Sequence, residues 1–171
     1  LNIGPSGGTP PCTPTTGTDV ASACDSYTWI DGNTYTASNN TATHVLINAA
    51  GCDSTVTLNL TINNSTSFTD VITVCDSYTW IDGVVYNSSG TYTNTYTNAA
   101  GCDHTETLNL TINNSTSASA TETASGSYTW GVNNQTYTTS GTYTDVSTNT
   151  TGCTHTETLN LSINASTSNS T

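Results

Sequence analysis

The chain has 171 residues, contains no lysine or arginine, and carries twelve acidic residues, which gives a formal net charge of −12. Without cations it cannot displace the counterions of a phosphate backbone, which argues against nucleic acid and anionic membranes as partners. No apolar run approaches the ~20 residues of a membrane-spanning helix, so membrane insertion is not expected. A length of this size suits a small number of compact domains.

The first 17 residues form a Pro- and Gly-rich leader, "LNIGPSGGTPPCTPTTG". It lies outside the repeats described next, and its composition predicts an extended segment rather than a packed element. We expect this leader to pair as an additional β-strand with the exposed edge of another sheet.

Three copies of one unit follow the leader. "SYTW" recurs and places tryptophan at Trp29, Trp80 and Trp130, and "AAGCDSTVTLNLTINNSTS" at residues 49–67 recurs at 99–117 and, in altered form, at 150–168. A fixed period of about 50 residues indicates a tandem array. The predicted units are 18–67, 68–117 and 118–171, the last including a C-terminal linker.

The local patterns in each unit are those of β-strands. Residues 55–62 alternate between apolar and polar side chains, and "YTWIDG" followed by "NTYT" or "VVYN" predicts a hairpin with an Asp-Gly turn. We therefore predict an all-β protein of three small antiparallel β-sandwich (Ig-like) repeats, each with about five short strands. The core aromatic residues would be Trp29, Trp80 and Trp130.

Cysteines at equivalent places in the first two units predict disulfide bonds within each unit. A 50-residue β unit buries little surface and benefits from a covalent staple. The simplest pairing is Cys24–Cys52 in the first unit and Cys75–Cys102 in the second, which implies an oxidising, extracellular setting. Zinc binding is the alternative, but no CxxC pair is present.

Two cysteines then remain without a partner in their own unit. Ser125 stands in the third unit where Cys75 stands in the second, which leaves Cys153 alone, and Cys12 has no counterpart in any repeat. A straight array separates them too widely for an intrachain bond, so we predict that Cys12 of one molecule bonds to Cys153 of the next. Such a heterologous contact does not close and generates a linear or helical homopolymer. A folded-back array with an intrachain bond, or unpaired thiols, are the alternatives.

Several residues are candidates for modification or metal binding. Among many Asn-x-Ser/Thr sequons, the best candidates for glycan attachment are Asn64, Asn114, Asn164, Asn39 and Asn87. The recurring aspartates could bind calcium, but no DxDxDG loop exists and turn formation explains them better. No metal or other cofactor is therefore expected.

No pattern of residues predicts an enzyme. "HTE" at His104–Glu106 and His155–Glu157 is replaced by "STV" in the first unit, so we interpret it as a cross-strand polar contact rather than a catalytic pair. Nor does a GxSxG elbow occur.

The unit "CDSYTW … SGTYT … AAGCDS-x-x-TLNLTI" resembles tandem repeats of secreted, adhesin-like cell-surface proteins of Bacteroidota. The resemblance covers nearly the whole chain after Thr18, and the third unit departs from it at Ser125, Gly126 and Thr154. It implies export to the cell surface and possible glycosylation. We expect a structural subunit of an extracellular filament; a stalk segment of a longer adhesin and a carbohydrate-binding module are the alternatives.

Overall fold

A computed structural model describes residues 12–165. This part of the chain is all-β and contains fifteen strands and no helix, five strands to each repeat. The strands of the first repeat are β1 (Thr15–Cys24), β2 (Tyr27–Thr28), β3 (Thr34–Tyr35), β4 (Thr43–Ile47) and β5 (Asp53–Asn63). Those of the second are β6 (Thr66–Cys75), β7 (Tyr78–Thr79), β8 (Val85–Tyr86), β9 (Gly90–Thr97) and β10 (Asp103–Asn113). Those of the third are β11 (Thr116–Ser125), β12 (Tyr128–Trp130), β13 (Gln135–Tyr137), β14 (Gly141–Thr148) and β15 (Thr154–Asn164).

Each repeat contains one three-stranded mixed sheet, in which the last strand of the repeat is central. The strand orders are β1-β5-β4, β6-β10-β9 and β11-β15-β14. In the first and third repeats the first strand pairs with the last in parallel, from Thr15 opposite Ser54 to Cys24 opposite Asn63 in the first repeat. The fourth strand pairs with the last in antiparallel fashion. The predicted wholly antiparallel sheet is therefore wrong in the first and third repeats. Their fourth strand carries the chain back to the end of the sheet where the first strand begins, so the last strand runs in the same direction as the first.

The hairpin of each repeat carries the tryptophan that covers the inner face of the sheet. In the first repeat Trp29 is 3% exposed and packs against Leu58 and Leu60 of the central strand. The turn after it requires a positive φ of 83° at Gly32, which glycine adopts without strain. The other two repeats build the same core from Trp80 with Leu108 and Leu110, and from Trp130 with Leu159 and Leu161. The predicted core role of the three tryptophans is confirmed.

The described chain divides into two compact units, whose boundaries differ from those of the sequence repeats. One unit consists of residues 12–68 and 94–106, and the other of residues 69–93 and 107–165. The first unit contains the first repeat together with the turn that precedes β10. The second unit contains the rest of the second repeat and the third.

Part of the predicted leader belongs to the first repeat. Thr15, Thr16 and Gly17 lie in β1 and pair with β5 of the same chain. One side of these residues is therefore already paired within their own chain. Residues 1–11 of the leader and residues 166–171 of the C-terminal linker lie outside the described residues, so the docking of the leader stays a prediction for that segment.

Candidate functional site at the disulfide junctions

All six cysteines form disulfide bonds within the chain. The bonds are Cys12–Cys52, Cys24–Cys102 and Cys75–Cys153. Their Cα–Cα distances of 5.4, 5.6 and 5.7 Å lie in the ordinary range for a disulfide. Three such bonds in one chain indicate an oxidising environment.

The predicted bonds within repeats, Cys24–Cys52 and Cys75–Cys102, are wrong. Parallel pairing places Cys24 opposite Asn63, at the end of β5, whereas Cys52 precedes the start of the same strand. The eleven residues from Cys52 to Asn63, at about 3.3 Å each, separate the two positions by roughly 36 Å, and a disulfide requires Cα atoms within about 7 Å. Each of these strand-end cysteines bonds instead to the cysteine that precedes the last strand of the following repeat.

The predicted intermolecular bond between Cys12 and Cys153 is also wrong, because Cys12 bonds to Cys52 and Cys153 bonds to Cys75. Parallel strands β1 and β5 begin side by side, so the residues just before them are neighbours. Cys12 thus supplies to the first repeat the sulfur that a preceding repeat would supply. The rule that each strand-end cysteine bonds to the next repeat accounts for four of the six cysteines, and Cys12 takes the place of a strand-end cysteine for Cys52.

An Asn-centred turn positions the second cysteine of every pair. In the second repeat the Asn98 side-chain oxygen accepts hydrogen bonds from the backbone N–H groups of Ala100 and Cys102, both at 3.0 Å. Gly101 completes the turn with a φ of 83°. The Asn98 amide nitrogen donates to the carbonyl oxygen of Asn64, at 3.0 Å. This bond joins the turn to the two-residue linker between β5 and β6, Asn64 and Ser65. Asn149 repeats both roles in the third repeat, and in the first Asn48 donates to the carbonyl of Thr13.

A carboxylate clamps the linker beside each disulfide between repeats. Asp25 follows Cys24 with a φ of 62°, and its two oxygens accept hydrogen bonds from the backbone N–H and the hydroxyl of Ser65, at 2.8 and 2.7 Å. The Ser65 hydroxyl, followed by its N–H, holds the pKa of Asp25 below its ordinary value of 3.8. Asp76 and Ser115 form the same clamp at the next junction, with the same effect on the pKa of Asp76.

A Thr-His-Glu chain of hydrogen bonds lies on the other side of the linker. The Thr66 hydroxyl bonds to His104 Nδ1 at 2.6 Å, and His104 Nε2 bonds to Glu106 Oε1 at 3.1 Å. The Tyr96 hydroxyl donates to the same glutamate oxygen at 3.1 Å. Thr116, His155 and Glu157 form the corresponding chain in the third repeat. The histidine and glutamate of "HTE" do form a polar contact, but it lies along one strand and not across strands as predicted. The contacts across strands are made by Thr66 of β6 and Tyr96 of β9.

The third repeat lacks both the strand-end cysteine and the clamping aspartate that connect each of the first two repeats to the repeat after it. Ser125 replaces the strand-end cysteine, and Gly126, with a φ of 79°, replaces the clamping aspartate. The two changes occur at adjacent positions and remove a covalent and a polar contact together. The disulfide pattern therefore starts at Cys12 and stops at Ser125.

The candidate glycan sites occupy different environments. Asn64, Asn114, Asn164 and Asn87 have exposed side chains, whereas Asn39 is half-buried and its side-chain oxygen accepts hydrogen bonds from the N–H groups of Thr41 and Ala42. The backbone carbonyl groups of Asn64 and Asn114 accept hydrogen bonds from the side chains of the Asn-centred turns, and this leaves their own side chains exposed. Attachment of glycans to any of these residues stays a prediction.

The recurring aspartates that suggested calcium are engaged in turns. Asp31 accepts hydrogen bonds from the Asn33 N–H and the Tyr35 hydroxyl, at 2.9 and 2.7 Å, and Asp82 accepts an equivalent pair. Within residues 12–165 no three His, Cys, Asp or Glu side chains are grouped so that they could hold a metal ion.

Sequence reasoning missed the Asn-centred turns and the aspartate clamps. The signal for the turns was present, because Asn-x-x-Gly-Cys occurs in all three repeats. No helix of the described part is long and apolar enough to cross a membrane. Comparison with models of known protein families gives no match, and comparison with curated protein sequences gives none either.

Proposed function

We propose that the protein is a structural, tension-bearing element of an extracellular fibre at a cell surface. The observation that carries this proposal is the overlap of its three disulfide loops, which span residues 12–52, 24–102 and 75–153. Every peptide bond between Cys12 and Cys153 lies inside at least one loop. A single cut anywhere in this range therefore leaves the chain in one covalent piece.

This property favours a surface exposed to proteases. Separate bonds within each repeat would leave the linkers as points where one cut divides the chain. The absence of lysine and arginine removes the cleavage sites of trypsin-like proteases as well. Both features oppose fragmentation and neither assists a chemical reaction.

The strands that connect two of the disulfides also suit a load-bearing role. Cys52 and Cys75 are joined by β5 and β6, and only Asn64 and Ser65 lie between these strands. Strand backbone rises about 3.3 Å per residue, close to the limit of about 3.5 Å for a fully extended chain. Each of the two strands is therefore close to its full length already, and tension could draw little further length from either one.

A fibre assembled head to tail remains the favoured form of this element, with non-covalent joints in place of the Cys12–Cys153 bond. The coincident loss of the cysteine and the aspartate at Ser125 and Gly126 supports it, because a further stapled repeat would need both. In this form the leader docks on the third repeat of the next copy. The repetition itself favours the alternative, a stalk segment of a longer adhesin. The Ig-like likeness of the repeats and their relation to Bacteroidota surface proteins remain part of this proposal.

Cleavage by a glutamate-specific protease tests the proposal. Glu122 is exposed, and only the Cys75–Cys153 loop spans it. The oxidised protein, nicked once after Glu122, should run as one band without reductant and as two bands with it. The matched variant C75S/C153S should run as two bands in both lanes, because no disulfide then bridges the cut. Two bands from the unreduced wild-type protein would refute the proposed role of the loops.

A further inference from the structure

The first repeat departs from the other two at one place on the outer face of its sheet. In the second and third repeats the fourth strand begins at Gly90 and Gly141 and runs for eight residues. In the first repeat β4 begins only at Thr43 and has five residues. The preceding segment forms no continuous ladder with β5 and contacts it at separate points. Asn39 forms an isolated bridge with Leu60, the Ala42 carbonyl accepts a hydrogen bond from the Leu58 N–H, and the Ser38 hydroxyl accepts one from the Ile62 N–H.

The cause is a local turn centred on Asn39. Its side-chain oxygen accepts hydrogen bonds from the N–H groups of Thr41 and Ala42, both at 2.9 Å. Asparagine side chains form such turns readily and compete with strand pairing. The turn interrupts the edge strand and opens a groove of about 280 Å³. Its lining residues are Ser38, Asn39, Asn40, Asn59, Leu60 and Thr61.

The interrupted strand leaves the side chain of Asn59 uncovered. In the other repeats the equivalent carboxamides of Asn109 and Asn160 accept hydrogen bonds from Thr91 and Thr142, at 2.9 and 3.0 Å. Among residues 12–165 the Asn59 side chain has no hydrogen-bond partner, and it is exposed. The groove thus differs from its two counterparts in both shape and unused hydrogen-bonding capacity.

The chemistry of the groove selects a neutral ligand with many hydroxyl groups. The carboxamides of Asn40 and Asn59 each offer an acceptor oxygen and a donor nitrogen, which match the adjacent hydroxyls of a sugar ring. No charged side chain lines the groove, so nothing in it favours an ion. On β1, directly opposite Asn59, Val20 is 73% exposed and offers an apolar surface to the C–H face of a sugar.

We propose that this groove binds one ring of a neutral oligosaccharide, through Asn40 and Asn59 with Val20 beside them. Its volume of about 280 Å³ lies just below the range of small-ligand sites, about 300–1,000 Å³, and therefore suits a single ring of a longer chain. The binding would be weak at one groove and would gain strength where many copies of the protein act together. This proposal is independent of the tension-bearing role, since neither the disulfides nor the junctions contribute to the groove.

NMR titration of the oxidised full chain with cellohexaose, maltohexaose, mannohexaose and chitohexaose tests the proposal. At least one hexasaccharide should shift the side-chain amide resonances of Asn40 and Asn59. N59A should weaken that binding about tenfold, since tenfold corresponds to about 1.4 kcal/mol and the loss of one or two hydrogen bonds costs about this much. N109A, the matched control in the second repeat, should leave the affinity within about twofold.

Three results would overturn the proposal. The first is no shift at these amides with any of the four probes at millimolar concentration. The second is an equal loss of affinity in N59A and N109A, which would place binding elsewhere. The third is a covalent glycan on Asn39 or Asn59 in native material, both of which begin sequons, because the groove would then be an attachment site. If N59A unfolds, N40A replaces it with the same expected loss.

Discussion

Stretching a single molecule measures the disulfide connectivity directly, because each pairing sets a different limit on extension. In the oxidised chain the shortest covalent path from Cys12 to Cys153 crosses to Cys52, follows the 23 residues to Cys75 and crosses again. At about 3.5 Å per residue, plus the two disulfides, this path is about 90 Å long. The reduced chain has 141 residues between the same positions, which extend to about 490 Å. Reduction should therefore release about 400 Å of length.

The assay is optical-tweezers extension with handles on the two chain termini, before and after addition of reductant. The residues outside Cys12–Cys153 add the same length to both states, so the difference between the states is the measured quantity. Two double variants provide matched controls. C24S/C102S removes a bond that is not on the shortest path and should leave the oxidised limit at about 90 Å. C75S/C153S should raise it to about 230 Å, because the shortest path then runs through Cys24–Cys102.

A different oxidised limit would refute the reasoning. Bonds confined to single repeats, Cys24–Cys52 and Cys75–Cys102, would allow about 310 Å between Cys12 and Cys153. An oxidised limit of that size, or an unchanged limit in C75S/C153S, would show that the interleaved pairing does not form. The inference of a tension-bearing path would then lose its basis.

Three further predictions follow from the junctions and turns. The variant C24S/C102S should lower the free energy of unfolding by about 4 kcal/mol, since a closed loop of this length constrains the unfolded chain by roughly that amount. Urea denaturation measures this free energy, and an unchanged midpoint would contradict the entropy argument. The Asp25 clamp should stabilise the fold above pH 3.8 and lose its effect as the pH falls through its lowered folded pKa. D25N should therefore be less stable than wild type at pH 6 in thermal unfolding, and the difference should shrink as the pH falls below 3.8; a difference that stays constant would contradict the pKa argument. Hydrogen bonding to Asp82 raises the pKa of Tyr86 to about 12, so this contact stabilises the fold below pH 10 and is lost as the pH rises towards 12. Absorbance titration near 295 nm should show a late phase that loses the amplitude of one tyrosine in Y86F, and an unchanged late amplitude in Y86F would contradict the assignment.

Much of the architecture follows from local patterns in the chain. The repeat period, the strand content, the Asp-Gly hairpin and the burial of Trp29, Trp80 and Trp130 are all visible as short-range signals. Strand alternation in residues 55–62 identifies which side chains face the core, and Leu58 and Leu60 are indeed buried. The strands, the hairpin and the buried side chains depend on the preferences of a few neighbouring residues, so one repeat suffices to reveal them, whereas the period requires comparison of the three repeats.

The disulfide pairing illustrates what such signals leave open. Cys24 lies nearer in sequence to Cys52 than to Cys102, and nearness favours the local bond. The direction of β1 relative to β5 decides otherwise, because parallel pairing carries Cys24 to the far end of the sheet. The alternation of apolar and polar side chains shows which face of a strand is buried, but it does not show whether the neighbouring strand is parallel or antiparallel.

The amino-acid sequence by itself determined three β repeats with apolar, tryptophan-centred cores, an acidic chain without lysine or arginine, and an even number of cysteines. Only the tertiary structure decided which cysteines meet, why Cys12 is needed at one end and Ser125 is tolerated at the other, and where an amide-lined groove opens. Periodicity and turn preference act over a few residues, whereas a disulfide partner and an exposed groove depend on strand direction and register. Those are properties of the assembled sheet.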